Sequence, residues 1–170
     1  MDAVPPSLPF RPIGILRSPY RERIDAPHQP TVEGGDPAEA VLELAADLPV
    51  EVLQDLDGFD RIWLIFVFHR SEGWAPRVHP PRGPRTKRGL FATRSPHRPN
   101  PIGLSAVELV GIEGRTLRLR GVDLLDGTPV LDIKPYVPYA DAFPEARAGW
   151  IDGVDALTGR HASPGLKRPR

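Results

Sequence analysis

Apolar positions along the chain come in short runs broken by turn residues, without the recurrence every three or four positions that marks long amphipathic helices. In Pro12 to Arg17, Ile13 and Ile15 share one face, and Ala40 to Leu44 is a weaker second strand. Val50 to Leu56 fits one or two helical turns. Arg61 to Phe68 (RIWLIFVF) is a continuous apolar, aromatic and β-branched run, read as a strand buried on both faces. Leu104 to Val110 alternates. Glu113-Gly114 then reads as a hairpin turn into Thr116 to Arg120, where Leu117 and Leu119 share a face. Asp126-Gly127 is a second turn signal, leading into Val130 to Ile133. Short strands separated by turns predict a mainly all-β sandwich or barrel. No alternation of strand and helix is visible, no G-x-G-x-x-G follows a strand, and no segment repeats.

Composition sharpens this picture. The 22 prolines fall mainly between the apolar segments and argue against long helices. A length of 170 residues suits one domain. No apolar run approaches the roughly 20 residues that span a bilayer. The absence of cysteine excludes disulfides, thiolate metal sites and cysteine nucleophiles, and no metal is expected. The opening residues lack the basic and apolar regions of a signal peptide, so a cytoplasmic address is expected. Residues 1–145 read as the domain. Residues 146–170, rich in glycine, proline and charge, read as a loosely held tail whose Trp150 and Ile151 can dock on the body or on a neighbouring subunit.

Charge adds an asymmetry that a net value of zero conceals. Thr31 to Asp60 holds nine acidic residues and no lysine or arginine. Arg70 to Arg98 holds eight basic residues (Arg70, Arg77, Arg82, Arg85, Lys87, Arg88, Arg94 and Arg98) against one acidic residue, Glu72. Clustered cations displace condensed counterions from a nucleic acid. A solvated basic loop is the plainer reading, and both remain open on charge alone.

The segment richest in chemistry is Phe91 to Leu104 (FATRSPHRPNPIGL). Its prolines fix φ and bias the preceding residues toward extended backbone, making the loop stiff. Stiffness lowers the entropic cost of holding polar groups in place. Arg94 and Arg98 can meet a carboxylate or phosphate through a planar fork, and Asn100 offers both donor and acceptor. This stretch resembles the signature loop of the TsaA-like, TrmO-type family of tRNA methyltransferases. The resemblance extends to Pro12–Tyr20 (PIGILRSPY), Ala26–Pro30 (APHQP), Leu56–His69 (LDGFDRIWLIFVFH) and Asp123–Tyr136 (DLLDGTPVLDIKPY), covering about Phe10 to Pro144.

The resemblance implies a compact closed β-barrel of short, mostly antiparallel strands. It also implies a homodimer, S-adenosyl-L-methionine as methyl donor, and methylation at N6 of threonylcarbamoyladenosine at position 37 of tRNA. Carried over block by block, it implies a cofactor site drawn from Gln29, Pro30 and Thr31, from His69 and Arg70, from Arg94 and Leu104, and from Asp123, Leu125, Asp126, Gly127 and Thr128. The donor carries a sulfonium, an ammonium and a carboxylate, so acidic and cationic partners together make chemical sense. The exocyclic nitrogen of a carbamoylated adenine must lose a proton during attack. Asn100 and Tyr136 are expected to orient the base, with Asp132 or Lys134 managing that proton or the carbamoyl group. Arg77, Arg82, Arg85, Lys87, Arg88 and Arg98 are the candidates for gripping the anticodon stem-loop.

Each assignment has a plainer counterpart. His69 can be a buried histidine satisfied by a carbonyl, and Asp126-Gly127-Thr128 an ordinary turn. Gly58 and Gly103 are read as serving backbone geometry, and Trp63, Phe66 and Phe68 as core. Two departures stand out. His28 occupies a position where many bacterial relatives carry arginine, and the sequence ends soon after the expected close of the barrel, where many members continue into a further C-terminal domain. Two rival functions are a non-catalytic RNA-binding barrel and a methyltransferase of a small molecule.

Overall fold

The computed structural model describes residues 8–22, 26, 37–81 and 83–158. The strands in chain order are β1 (Gly14–Arg17), β2 (Glu39–Leu44), β3 (Arg61–Val67), β4 (Arg77–Val78), β5 (Arg88–Gly89), β6 (Ile102–Glu113), β7 (Thr116–Arg120) and β8 (Thr128–Pro135). Six of them close into an antiparallel barrel in the spatial order β1-β2-β7-β6-β3-β8, with β8 pairing back onto β1. Closure leaves no free edge. β4 and β5 pair separately as a small ribbon.

Alternation with period two separates the inside of the barrel from the outside. On β3, Ile62, Leu64 and Phe66 point inward at 0%, 0% and 3% exposure, while Trp63, Ile65 and Val67 are only half-buried. The expectation of burial on both faces is therefore corrected. A barrel this small has one interior, and its outer face is only partly covered. The aromatic cluster divides for the same reason. Phe66 and Phe68 pack edge-to-face at 5.1 Å on the core side, whereas Trp63 lies outside against Tyr136.

Ile13 and Ile15 share one face as read, and that face is the outer one. The core takes Gly14 and Leu16, and Ile13 and Ile15 are partly buried. Register decides this, since Leu16 lies opposite Leu42 and Thr128, and Gly14 opposite Leu44 and Val130. A Cβ at Gly14 would sit 2.5 Å from the Glu43 carbonyl oxygen, so the strands approach as only glycine permits. Leu117 and Leu119 face inward together, as their spacing predicts.

Both turn signals form turns. Gly114 (φ 58°) takes the first central place of the two-residue loop between β6 and β7, where glycine accepts a positive φ at low cost. Gly127 (φ 77°) precedes Thr128, whose N–H donates to the Leu125 carbonyl at 3.2 Å. Val50–Leu53 and Leu56–Gly58 form 3-10 turns, the first supplying Leu53 to the core. Leu16, Leu42, Ile62, Leu64, Val107, Leu117, Leu119 and Val130 are fully buried. Each contributes about 1.5–3 kcal/mol. Every barrel strand supplies at least one of them, so core formation and closure are a single event.

Two helices follow the barrel, α1 (Pro138–Asp141) and α2 (Trp150–Thr158). Within the segment read as a tail, α2 docks on the body through Trp150. Its indole N–H donates to the Ala92 carbonyl at 2.8 Å, and the Arg88 guanidinium lies 5.4 Å from the ring centroid. Val154 sits so close to Gly83 that a Cβ there would meet it at 2.6 Å. Among the described residues, no helix is long and apolar enough to cross a membrane.

Candidate active site at one end of the barrel

The sequence blocks converge where β3 ends and β6 and β8 begin. Val67 pairs with Ile102, and the Phe68 N–H donates to the Pro101 carbonyl at 2.7 Å. His69 and Arg70 therefore emerge beside Asn100 and Pro101. Gly103 lets this crossing close, because a Cβ there would lie 2.3 Å from the Phe66 ring. The exit of β1 is tied to the segment before β8 by several bonds, beginning with the Gly127 N–H to the Leu16 carbonyl (2.9 Å). The Ser18 N–H donates to Asp126 Oδ1 (3.2 Å), the Ser18 hydroxyl to the Leu124 carbonyl (2.7 Å), and the Asp126 N–H to the Tyr20 carbonyl (2.7 Å). Arg70 reaches the same loop, donating from Nη1 to the Arg21 carbonyl at 2.6 Å. Residues far apart in sequence thus share one barrel end.

Asp123 is the electrostatic centre of this end. Ser105, inward on β6 at 3% exposure, donates its hydroxyl to Asp123 Oδ1 at 2.7 Å. Burial pushes the Asp123 carboxyl above the ordinary carboxylate range, while the Ser105 bond, its own backbone and the Arg94 charge pull it back. Arg94 itself is exposed. His69 is exposed, not the buried histidine of the plainer reading. Partial desolvation and the neighbouring Arg70 hold its pKa below the usual value, against a bond to the Val67 backbone, so the ring is neutral at pH 7. Thr128 is buried and donates from Oγ1 to the Leu125 carbonyl at 2.7 Å, closing the turn and leaving Leu125, Asp126 and Gly127 partly exposed. The arrangement offers carboxylate, guanidinium, neutral imidazole and open backbone within one site. Gln29, Pro30, Thr31 and His28 lie outside the described residues.

The four expected catalytic residues do not form one cluster. Asn100 is exposed at the barrel end, its carbonyl accepting from the Ile102 N–H at 2.7 Å. Leu104, on the outer face of β6, pairs with Ile65, which pairs in turn with Asp132 of β8. Leu104 and Asp132 thus share an outer face, two strand spacings or about 10 Å apart. Lys134 Nζ lies 2.9 Å from Asp132 Oδ2. Tyr136 stands just past the end of β8, about 13 Å beyond Asp132 at ordinary strand rise. Its ring is 5.4 Å from that of Trp63, whose indole N–H donates to Asp141 Oδ2 at 3.0 Å.

The basic residues separate into two groups. Arg77, Arg85 and Lys87 are exposed on or between the ribbon strands, and Arg88 is partly covered by Trp150. Arg77 Nη2 also donates to the Lys87 carbonyl at 3.1 Å, bracing the ribbon. Arg98 belongs to the signature loop instead. Its Nη1 donates to the Thr93 and Ser95 carbonyls at 3.0 and 3.3 Å, and its guanidinium lies 5.4 Å from the Phe91 centroid. Arg82 lies outside the described residues. Among the described residues, no group of three or more histidine or acidic side chains could hold a metal ion.

Sequence reasoning missed Ser18 and Ser105. Ser105 carried a usable signal, being a polar residue at an inward position between Gly103 and Val107. Ser18 carried little, because the partners that tie it to the site, Asp126 and Leu124, lie more than 100 residues away.

Fold and site define a single antiparallel barrel with a polar site built at one end from the loops between its strands. The chain belongs to the family of the tRNA-methyltransferase O N-terminal domain, whose model matches residues 15–142. It is 42% identical over 157 residues to the Escherichia coli (strain K12) tRNA (adenine(37)-N6)-methyltransferase, covering 88% of this chain and 66% of that protein. It is 46% identical over 143 residues to a probable S-adenosyl-L-methionine-binding protein of Pyrococcus abyssi, covering 84% of this chain and 76% of that protein. The crystal structure of TrmO from Pseudomonas aeruginosa matches with a TM-score of 0.72 at 46% identity, over 86% of this chain and 63% of that one. The chain spans slightly less than two thirds of the Escherichia coli protein and of the Pseudomonas structure.

Proposed function

We propose that this chain is an S-adenosyl-L-methionine-dependent methyltransferase acting on N6 of threonylcarbamoyladenosine at position 37 of tRNA. The observation that carries the reading is the meeting of Asp123, Asp126 and Arg94 at one barrel end, in a chain of the TrmO family. The donor set fits the cofactor. Two carboxylates and an arginine match a molecule with two cationic centres and one carboxylate, and the half-exposed Gly127 backbone can read an adenine edge. When bound, the cofactor supplies a methyl group activated by its sulfonium.

The chain's own residues position and deprotonate. Arg94 holds the cofactor's carboxylate and Asp123 its cationic end, with His69 and Arg70 at the same barrel end; Gln29, Pro30, Thr31 and Leu104 are its further proposed contacts. Asn100, fixed by its stiff loop, orients the adenine. Asp132 is the acceptor for the N6 proton, and Lys134 holds its carboxylate in place. Tyr136, against Trp63 and about 13 Å beyond Asp132, is too far to meet the same base and offers its ring to a neighbouring part of the tRNA. The exposed ribbon cations Arg77, Arg85 and Lys87, with Arg82, grip the anticodon stem-loop in the cytoplasm, while Arg98 braces the signature loop.

We infer a homodimer from the outer face of β3 and β6, where half-buried Ile65 and Val67 adjoin Ile102 and Leu104, exposed at 43% and 55%. Placing a charge there, as in Ile102→Glu, is expected to yield a folded monomer by sedimentation equilibrium.

Calorimetric titration with S-adenosyl-L-methionine tests the reading, with Arg94→Ala as control. Saturable binding abolished by the substitution, followed by methyl transfer to tRNA lacking the N6 methyl group, is expected. A well-folded protein with no cofactor affinity would overturn it in favour of a non-catalytic RNA-binding barrel.

A further inference from the structure

Ser105 is the buried polar side chain of β6, and its environment gives it a single task. It points into the barrel between Gly103 and Val107, at 3% exposure, among the side chains of a hydrophobic core. A hydroxyl in such a place costs stability unless it is hydrogen-bonded. The bond it makes runs to Asp123 Oδ1 at 2.7 Å, across 18 residues of sequence and from one segment of the barrel to another. Asp123 lies just past β7, in the stretch from Val122 (1% exposed) to Leu124 (3% exposed), whose side chains are packed into the core. The backbone on either side is thus anchored, and the carboxylate is fixed by the hydroxyl at one oxygen.

We propose that Ser105 is a positioning residue for the cofactor site, fixing the Asp123 carboxylate in the orientation in which it meets the cationic end of the bound cofactor. The proposal rests on the cofactor reading above. A free carboxylate at a strand exit can rotate about two torsions, and one firm bond to a buried hydroxyl removes that freedom before the ligand arrives. The same bond favours the anion, the form a cationic ligand needs, and so counters the effect of burial. The exposed Arg94 contributes in the same direction from the solvent side but cannot orient the group from within. The groups facing Asp123 in this balance are therefore Ser105 and Arg94.

The test is the pH dependence of S-adenosyl-L-methionine binding to wild-type, Ser105→Ala, Ser105→Thr and Asp123→Asn proteins, measured by calorimetry. Affinity should fall as pH drops through the Asp123 pKa. In Ser105→Ala that fall should move toward neutral pH, with binding near pH 7 weakened about tenfold or more. Ser105→Thr keeps the hydroxyl and should restore the wild-type profile. The carboxyl carbon of Asp123, followed by NMR without ligand, should titrate at higher pH in Ser105→Ala, a shift that a merely structural loss would not produce. Should the threonine variant not fold, the alanine variant and the NMR titration decide the matter. Wild-type affinity and pH profile in Ser105→Ala would overturn the proposal, as would unaltered binding by Asp123→Asn. Absence of binding by the wild-type protein would instead remove the cofactor reading, and the proposal with it.

Discussion

Asp123 carries a conflict between solvation and charge that single substitutions can expose. Its pKa in the folded state is raised, with burial the largest cause. Between the ordinary carboxylate range and that raised value, the folded protein binds more protons than the unfolded chain. Stability therefore falls as pH rises through this window, and the penalty persists at neutral pH. Asp123→Asn removes the charge but keeps an acceptor for Ser105. Its melting temperature at pH 7 should exceed that of wild type and vary less with pH in the acid range, while cofactor affinity is lost. An unchanged melting temperature would mean that Ser105 and Arg94 already offset the burial. Gly103 makes the opposite kind of prediction. A methyl group there would lie 2.3 Å from the Phe66 ring, so Gly103→Ala should lower the urea midpoint by an amount worth about 1–3 kcal/mol. An unaffected midpoint would show that the Phe66 ring can move aside.

At the scale of elements, α2 and the ribbon behave as one unit. The Trp150 indole bridges Ala92, at the entrance to the signature loop, and Arg88 on the ribbon, while Val154 abuts Gly83. A two-stranded ribbon is marginal by itself, so this support matters to its order. Trp150→Ala should speed amide exchange across residues 77–89 and weaken tRNA binding, leaving cofactor affinity intact. Trp150→Phe loses only the N–H donor and should fall between. Equal loss of cofactor and tRNA binding would place Trp150 in the cofactor site and remove the splint. The helix was poorly legible in the sequence, because a nine-residue segment containing a glycine has little helical preference of its own. Its order comes from the surface it meets.

Along the whole chain, opposite charges are segregated, with the acidic block before β3 and the basic block after it. In the fold the acidic block is partly paired, Asp47 with Arg11 and Glu43 with Arg17, whereas Arg77, Arg85 and Lys87 are exposed on or between the ribbon strands. Charge-neutralising substitution of Arg77, Arg85 and Lys87 together should flatten the dependence of tRNA affinity on salt, by about one unit of slope for each phosphate no longer neutralised. A slope identical to wild type would move the RNA-binding surface elsewhere. Cofactor affinity should be indifferent to the change, since none of the three touches the barrel end.

Much of this was already present in the order of residues. Alternation at Leu117 and Leu119, the turn glycines Gly114 and Gly127, the all-β class and the family signature at Phe91 to Leu104 depend on local chemistry, which a chain displays whether or not it is folded. What only tertiary structure decided was which side of each element faces inward and which distant groups meet. RIWLIFVF is apolar throughout, so nothing in it announces that Ile62, Leu64 and Phe66 are core while Trp63 and Ile65 lie outside. The inward place of Gly14 follows from strand register, a property of pairs. The bonds from Ser105 to Asp123 and from Ser18 to Asp126 arise from barrel closure, which brings together polar groups whose separation in sequence gives no sign that they meet. Barrel closure converts a row of motifs into a site with a partly buried carboxylate, Asp123, held by a buried hydroxyl.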